Sequence, residues 1–423
     1  MLSVIDMEKN LNLSYIFYIV VSFGLSSTSI SRDIGIPISV ADITIVILLL
    51  FSIISSQKIT LNLLTLWVLV FFLHILIVNM VLYYNQSDFS ASGFLTSYAR
   101  IILNFFVVLL IPSLLRNFDP KLFCKAILLV IKFHCLLVIF DPLVEYPFYI
   151  EEGQFYFGKE VYVASLEFRG RGLFDEPSFF SAYIGIMSSL VLQYQSNSKE
   201  QVFSFVDLSI IFLALIASAS FTGIAVGLLI ILQLLFIERK RILDLKSIFG
   251  SLVMLIISIP ILFTLVAGSF AFITDRMAGG IVGGSTISRL VGSTVFTMDI
   301  IEESPILGIG LGGANQTTFL EKGDEGFIFD ALATTEGADF SLSQNAVTYW
   351  AALTAAGGVP GLLIFYLLIL GYLIFDKRTF YIGMMIFFIG ISKGGVFEIS
   401  LWFIIAVAMG LKYLRLIPRT IDK

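Results

Sequence analysis

The chain has 423 residues, of which 58% are hydrophobic and only 13% are charged, and its formal net charge is −5. A typical soluble domain is about 25% charged, so this composition excludes an ordinary soluble enzyme, and the charge balance offers no basic surface for nucleic acid. Apolar stretches of about 20 residues, the length that crosses a bilayer as a helix, recur along the chain. They predict an all-α polytopic integral membrane protein.

Hydropathy, with glycine, proline and charged residues as breaks, predicts about 12 transmembrane helices in a single transmembrane domain over residues 1–423. The helices are predicted near 12–31, 40–56, 63–84, 94–115, 122–141, 176–194, 206–219, 222–237, 248–268, 359–375, 379–393 and 396–414. The seventh and eighth are separated at the sequence SASFTG. One long, tilted span over the same residues is the alternative, and it would invert the topology beyond.

The distribution of Lys and Arg orients the helices, because short cytoplasmic loops are enriched in these residues. With the N-terminus inside, the cytoplasmic segments carry 16 of the 26 Lys and Arg residues, and most acidic residues fall outside. Both termini are therefore predicted to be cytoplasmic, with two large outer loops at 142–175 and 269–358. Long loops usually carry function, so candidate residues are expected there.

The sequence RGRGLFDEPSFFSAYIG connects the first large loop to the sixth helix. Pro177 suits the first turn of that helix, and the Asp-Glu pair before it suits the cap. Arg169 and Arg171 precede the positive end of the helix dipole, so together they could hold a phosphate or pyrophosphate. Interfacial pairing of these arginines with the nearby acidic residues is the alternative.

Arg100 and Lys132 are the basic residues that lie more than one turn inside a predicted helix. Arg100 is about two turns from the outer end of the fourth helix, with Asn104 one turn deeper on the same face, and should face the bundle interior or a wet cavity. Snorkelling of Arg100 to the interface is the alternative. Lys132 is the only basic residue in mid-membrane and is a candidate for binding an anionic lipid head group. His134 points about 200° away from Lys132 and is predicted to pack in the core.

The second large loop contains RLVGSTVFTMDIIEESPILGIGLGG, which begins at Arg289. The pattern predicts an interfacial helix followed by a glycine-rich turn, whose glycines allow close backbone approach to a ligand. A dinucleotide site is excluded because the glycines do not follow a strand and open a helix. The chain has two histidines and no zinc motif, and its acidic EKGDEGFIFD stretch lacks calcium-loop spacing, so no metal or cofactor is predicted.

Three stretches together resemble the bacterial O-antigen polymerase (Wzy) family, which is related to the O-antigen ligases. RGRGLFDEPS resembles an arginine-led Glu-Pro-Ser entry to a helix, SRLVGSTVFTMDIIEESPILGIGLGG an arginine helix that ends in Pro-x-x-Gly-x-Gly, and SQNAVTYWAALTAAGGVPG the signature that follows. Their order and spacing make the resemblance more specific than any single motif. Ligases usually have His before the Asn of the third motif, whereas Gln344 precedes Asn345 here, which favours a polymerase.

The resemblance implies a GT-C-like glycosyltransferase of the bacterial inner membrane whose active site faces the periplasm. Its substrate would be undecaprenyl-pyrophosphate-linked oligosaccharide, in contact with membrane lipid, and a separate chain-length regulator is a candidate partner. The residues and the resemblance together make Arg171, Arg289 and Glu176 the catalytic candidates, with Glu176 as a base or an orienting group. The candidates for substrate binding are Arg100, Arg169, Gln344, Asn345 and Lys132. An O-antigen ligase and a flippase for lipid-linked oligosaccharide are the alternatives.

Overall fold

A computed structural model describes residues 14–26, 40–54, 63–85, 91–115, 118–145, 155–156, 159–160, 170–174, 177–198, 200–218, 220–238, 293–310, 348–392 and 399–411. These residues are helical apart from short turns and one two-stranded ladder. Three of the helical segments are long and apolar enough to cross a membrane, and several shorter ones are also apolar. This architecture fits a polytopic membrane protein, as the hydropathy predicts.

The first eight helices, in chain order, are α1 (Ser14–Gly24), α2 (Val40–Ile54), α3 (Leu63–Asn85), α4 (Ala91–Leu114), α5 (Pro120–Glu145), α6 (Pro177–Ser198), α7 (Phe205–Ala217) and α8 (Phe221–Glu238). The strands β1 (Phe155–Tyr156) and β2 (Lys159–Glu160) lie between α5 and α6 and pair antiparallel. The later helices are α9 (Ser293–Glu303), α10 (Tyr349–Leu363), α11 (Gly371–Phe375), α12 (Phe380–Ser392) and α13 (Ile399–Leu411).

The predicted break at SASFTG is confirmed, because α7 ends at Ala217 and α8 begins at Phe221. Ser218 caps the end of α7, and the Ser220 hydroxyl accepts a hydrogen bond from the backbone N–H of Gly223. Local hydroxyl bonds of this kind satisfy the backbone groups that two helix ends leave unpaired. The single long span is therefore ruled out for these residues. The helix predicted at 248–268 lies outside the described residues.

The tenth helix begins earlier than predicted, at Tyr349 instead of near residue 359. The sequence GGVPG was interpreted as the break before a helix, whereas it forms a kink inside one. Gly357 and Gly358 leave the helical conformation, and Gly358 has a φ of +62°, which an L side chain rarely adopts. The kinked helix continues through a π-helical segment, Ile364–Leu370, into α11.

The core is built from helices that pack side by side, and some contact several others. Helix α4 packs against α13, α2 and α3, helix α6 against α8, α12 and α5, and helix α5 against α7. Helix α9 packs against α10, which in turn packs against α3. Two polar regions are formed in this way, one where α5, α6, α7 and α8 meet and one where α3, α9 and α10 meet.

Two buried amides close the end of the bundle at which α6 and α8 terminate, which we call the inner end. The Gln193 side chain donates to the Lys377 carbonyl (3.1 Å) and accepts from the backbone N–H of Tyr381 (2.9 Å). Gln233 donates to the Tyr381 carbonyl (3.0 Å) and accepts from the Ser189 hydroxyl (2.9 Å). These bonds connect α6 and α8 to the turn that precedes α12 and to the first turn of α12. Each of the two side-chain amides thus donates one hydrogen bond and accepts another, and these bonds hold the helices together at the inner end.

Candidate functional site

The opposite end of the bundle, at which α6 and α8 begin, is predicted to face outward, and we call it the outer end. Residues 170–174 form a tight turn there, which we call the arginine turn because it carries Arg171. The Asp141 carboxylate, near the end of α5, accepts hydrogen bonds from the backbone N–H groups of Arg171 (3.0 Å) and Gly172. Asp141 is only 2% exposed. Since bonds to an ionised acceptor are strong, Asp141 fixes the backbone from which the half-buried Arg171 side chain extends.

The glycines of this turn allow it to lie directly on the helices below. The backbone N–H of Gly170 donates to the Ala217 carbonyl at the end of α7 (2.9 Å). A Cβ atom at position 170 would lie 2.2 Å from the Val138 carbonyl oxygen, and Gly172 has a φ of +55°. A side chain at either position would be strained, so the two glycines of RGRG are explained by contact with α5.

Aromatic packing anchors the last residue of the arginine turn. Phe174 is buried, and its ring lies 5.1 Å from the His134 ring and 5.6 Å from the Tyr183 ring, centroid to centroid. His134 is 1% exposed and also stacks on Phe23 at 5.4 Å. Within the described ranges neither ring nitrogen of His134 has a hydrogen-bond partner. His134 is therefore buried among aromatic rings as predicted, although a hydrogen-bonded histidine was expected, and its packing supports the arginine turn.

The first turns of α6 and α8 lie side by side next to the arginine turn. The Ser181 hydroxyl of α6 is 2.9 Å from the Ser220 hydroxyl and 3.3 Å from the Ser218 hydroxyl, both in the connection between α7 and α8. Two helix N-termini are thereby brought to one place, with their positive dipole ends at the same side of the bundle. Helix N-termini and arginine side chains both bind anions, so the two N-termini beside the turn that carries Arg171 are suited to an anion.

The second polar region joins two of the stretches on which the family resemblance rests. After α9, the backbone N–H groups of Ile309 and Gly310 both donate to the Ala355 carbonyl of α10, each at 2.9 Å. The backbone N–H of Val359 donates to the Pro305 carbonyl (2.8 Å). The turn 304–310 and the kink of α10 therefore form one backbone-bonded unit.

Glycine permits this contact. A Cβ atom at Gly308 would lie 2.4 Å from the Thr354 carbonyl oxygen, and one at Gly358 would lie 2.4 Å from the Ile306 carbonyl oxygen. Both glycines have φ in the left-handed region, +67° and +62°. Close backbone approach was expected for these glycines, but at position 308 the structure places the backbone of α10 in contact instead of a ligand.

Two polar side chains of α3 satisfy the carbonyls that the kink exposes. His74 Nε2 lies 2.8 Å from the Gly357 carbonyl oxygen, so this nitrogen carries the proton. The Asn79 amide donates to the carbonyls of Ala356 (2.9 Å) and Ile75 (2.7 Å). The sequence reasoning gave no role to His74, Asn79 or Asp141. What marks these residues in the sequence is that they are polar side chains within apolar helices. Burying such a side chain in a membrane costs free energy unless it has a partner.

Arg100 has an acidic partner on a neighbouring helix. Its guanidinium lies 3.9 Å from the Asp42 carboxylate, in the first turn of α2. The Arg100 side chain is 46% exposed, and a pair this long and this exposed contributes little to stability. Arg100 thus lies near the outer start of α2, and its side chain is half-exposed.

Lys132 forms a closer ion pair, 3.0 Å from the Asp207 carboxylate in the first turn of α7. Asp207 also accepts from the backbone N–H and the hydroxyl of Ser204, completing a capping box. The mid-membrane charge of Lys132 is therefore balanced within the protein. The hypothesis that Lys132 binds a lipid head group now requires that the head group compete with Asp207.

The remaining candidates, Arg169, Glu176, Arg289, Gln344 and Asn345, lie outside the described residues. Across the part of the chain that the structure describes, no group of three or more His, Cys, Asp or Glu side chains is arranged to hold a metal ion. The described residues are helical, fit a polytopic membrane protein and bring the arginine turn next to the first turns of α6 and α8. Comparisons with protein-family models, with curated proteins and with solved structures found no match.

Proposed function

We propose that this protein is an O-antigen polymerase, a GT-C-like glycosyltransferase that joins undecaprenyl-pyrophosphate-linked oligosaccharide repeat units. One observation carries the proposal: buried Asp141 holds the arginine turn beside the first turns of α6 and α8. This arrangement suits a pyrophosphate, and a lipid pyrophosphate is the leaving group of the proposed reaction. The reaction would take place at the periplasmic face of the bacterial inner membrane.

In the proposed step, a hydroxyl group of the acceptor repeat unit forms a glycosidic bond with the anomeric carbon of the donor glycan. The bond between that carbon and the pyrophosphate oxygen breaks, and the lipid pyrophosphate leaves with the bonding electrons. Arg171 and the two helix N-termini would stabilise the negative charge that develops on this leaving group. A base must accept the proton of the acceptor hydroxyl, and Glu176 is the carboxylate we assign to that role.

The other candidates complete the proposal. Arg289 would be a second catalytic arginine, placed by the chain just before α9. Arg100, which the structure places at the outer end and half exposed, would contact the sugar phosphate. Further substrate contacts are assigned to Arg169, Gln344, Asn345 and Lys132.

The test is extension of a defined undecaprenyl-pyrophosphate-linked repeat unit by the purified protein in liposomes. Arg171→Ala and Arg289→Ala should each reduce the extension rate by about 100-fold or more, the size of effect seen when a preorganised charge-stabilising group is removed. Arg378→Ala is the matched control, because Arg378 is an exposed arginine in a turn at the inner end and should be silent. Full activity in the Arg171 and Arg289 variants would overturn the proposal.

Experiments in cells and in the same liposomes separate the two alternatives from the polymerase. A ligase would transfer the glycan to lipid A-core without lengthening it, so cells that lack it would carry no O-chain. Cells that lack a polymerase would retain single repeat units on their lipopolysaccharide. A flippase would move the lipid-linked glycan across the liposome membrane without extension. The pairing of Lys132 with Asp207 favours the polymerase over the flippase, because it leaves no unbalanced charge on this part of the transmembrane path.

A further inference from the structure

Helix α9 and the turn 304–310 lie against the outer half of α10. The buried stripe of α9 contains Phe296 and Ile300, which pack with Ile309 of the turn against Ala351 and Ala355 of α10. The sequence predicts this region as part of a loop outside the membrane. Its depth in the structure can be measured along α10, which it contacts, and along α3, which contacts the kink of α10.

Along α10 and its continuation, the apolar span runs from Tyr349 to Phe375 and is followed by Asp376, Lys377 and Arg378. Gly358, which contacts the turn, precedes Phe375 by 17 residues, or about 26 Å of helix rise. The hydrocarbon core of a bilayer is about 30 Å thick. If the core begins near Phe375, the contact lies inside its outer boundary.

Helix α3 gives an independent measure. His74, whose ring contacts the Gly357 carbonyl, follows Leu63 by 11 residues, or about 16 Å. Both distances are shorter than the thickness of the core, and both reach at least to its middle. The two helices place the same contact about 26 Å and about 16 Å from the inner boundary, and both values lie between the middle of the core and its outer boundary.

The exposed surface of α9 has two chemically different flanks. Met298 and Ile301 are three residues apart and lie on one flank together with Thr294, and Met298 is 55% exposed. Glu302, one turn from Met298, begins the other flank, which continues through the half-buried Asp299 to Glu303. Beyond the helix, Ile306 is 65% exposed. A helix with a protein-facing stripe, an apolar flank and an acidic flank is suited to a boundary between lipid and water.

We propose that α9 and the turn 304–310 form a re-entrant element, with Met298, Ile301 and Ile306 in contact with the acyl chains of outer-leaflet lipids. Ile77 and Met80 of α3, near His74 in depth, are also exposed, as expected for apolar residues of a helix that faces lipid at this depth. The irregular backbone of the turn is tolerated at this depth because it is bonded to α10.

The acidic flank must then face water. A carboxylate in hydrocarbon is costly, and Glu302 and Glu303 are both exposed. The element thus separates lipid on one side from an aqueous cleft on the other. This inference does not depend on the proposed reaction, because it concerns only where the element lies.

Single cysteines at Met298, Ile306, Glu302 and Glu303, carrying a nitroxide spin label in the full-length protein in liposomes, test the proposal. The wild-type chain gives the background, since its two cysteines, Cys124 and Cys135, are buried. Leu228, exposed on α8, is the lipid reference, and Lys377, exposed in the inner turn, is the water reference. Labels at 298 and 306 should be accessible to oxygen and protected from a nickel chelate, as at Leu228, and labels at 302 and 303 should show the reverse.

A bimane label at the same four positions provides a second measurement, with brominated lipid as the quencher from the membrane and iodide as the quencher from water. Quenching by brominated lipid at 298 and 306, at least severalfold above that at 302 and 303, would support the re-entrant element. Equal access of nickel chelate and iodide to all four positions would overturn it and place α9 in the aqueous phase.

Discussion

The outer and inner ends of the helix bundle each contain a turn in which a carboxylate accepts a backbone N–H next to an arginine. At the outer end Asp141 binds the backbone of Arg171, and at the inner end Asp376 binds the backbone N–H of Arg378 (2.9 Å). The surroundings differ. Asp141 is buried and bonds the arginine turn, whereas the inner turn is bonded by the amides of Gln193 and Asn197.

Similar local hydrogen bonds therefore have different roles at the two ends of the bundle. Side-chain amides bond the Lys377 and Arg378 carbonyls of the inner turn, and another bonds the Tyr381 carbonyl at the start of α12. At the outer end, the polar contacts hold the backbone in place, and the Arg171 guanidinium extends from it half-buried. We therefore expect substitutions at the outer end to change activity and substitutions at the inner end to change stability.

The largest expected effect is that of Asp141→Ala on activity. Without its acceptor the arginine turn is no longer fixed, and a displacement of about 1 Å of a charge-stabilising group can lower a rate by about 100-fold. The measurement is kcat for extension of the lipid-linked repeat, divided by the folded fraction from size-exclusion chromatography.

Two variants make this test specific. Asp376→Ala removes the corresponding carboxylate at the inner end and should leave kcat unchanged. Asp141→Asn retains an acceptor oxygen and should recover part of the rate. A kcat for Asp141→Ala within about twofold of the wild type would show that the arginine turn has no role in the reaction.

The next effect concerns the contact between the turn 304–310 and α10. Gly308→Ala places a Cβ atom against the backbone carbonyl of Thr354 at a φ of +67°, so we expect a loss of about 2 kcal/mol or more of unfolding free energy. Thermal unfolding in detergent measures it. Gly371→Ala is the control, since a Cβ there meets only the Tyr366 carbonyl at 3.4 Å and the residue is helical. Equal melting temperatures for the two variants would contradict the backbone contact.

A smaller effect is expected at the inner end. Gln193→Leu leaves the backbone N–H of Tyr381 and the carbonyl of Lys377 without their partner, which should cost about 1–3 kcal/mol of unfolding free energy. The extension rate per folded molecule should not change. Gln201→Leu, which removes a single bond from an exposed amide, is the control for the loss of a polar side chain. A drop in kcat for Gln193→Leu would contradict the prediction that substitutions at the inner end change stability and not activity.

The smallest effect is predicted for an exposed ion pair at the inner end. The Lys121 ammonium, which lies 3.0 Å from the Glu200 carboxylate and donates to it, holds the pKa of Glu200 below its usual value. Because the pKa is lower in the folded state, the pair stabilises the fold at neutral pH, and its contribution is lost as the pH falls through the folded pKa. Glu200→Gln should therefore melt slightly below the wild type at pH 7 and together with it at low pH. A constant difference across this range would contradict the prediction.

Much of the helical layout could be predicted from the sequence. The start of α6 at Pro177, the bounds of α3 and the division between α7 and α8 follow from apolar length and from residues that start or stop helices. The sequence at the kink of α10 predicts a break before a helix, because Gly-Gly and Pro usually interrupt helices. Only the contact with the turn 304–310 explains why the helix continues through it.

The polar contacts were far less predictable. Asp141 binds residues 30 and 31 positions away, and His74 and Asn79 bind carbonyls 283 and 277 positions away. In the sequence, each is a single polar residue at or within an apolar run. The expense of such a residue predicts that it has a partner, but nothing local identifies the partner.

The sequence predicts a helical membrane protein. It also predicts where most of the described helices lie and which residues carry charge near the helix ends. These properties depend on the hydrophobicity and backbone preference of residues close together in the chain, and they can be summed over a short window. The tertiary structure alone decided that Asp141 holds Arg171 beside two helix N-termini and that the turn 304–310 binds the kink of α10. Such contacts join residues far apart in sequence, and hydrogen-bond geometry exists only once the helices have packed.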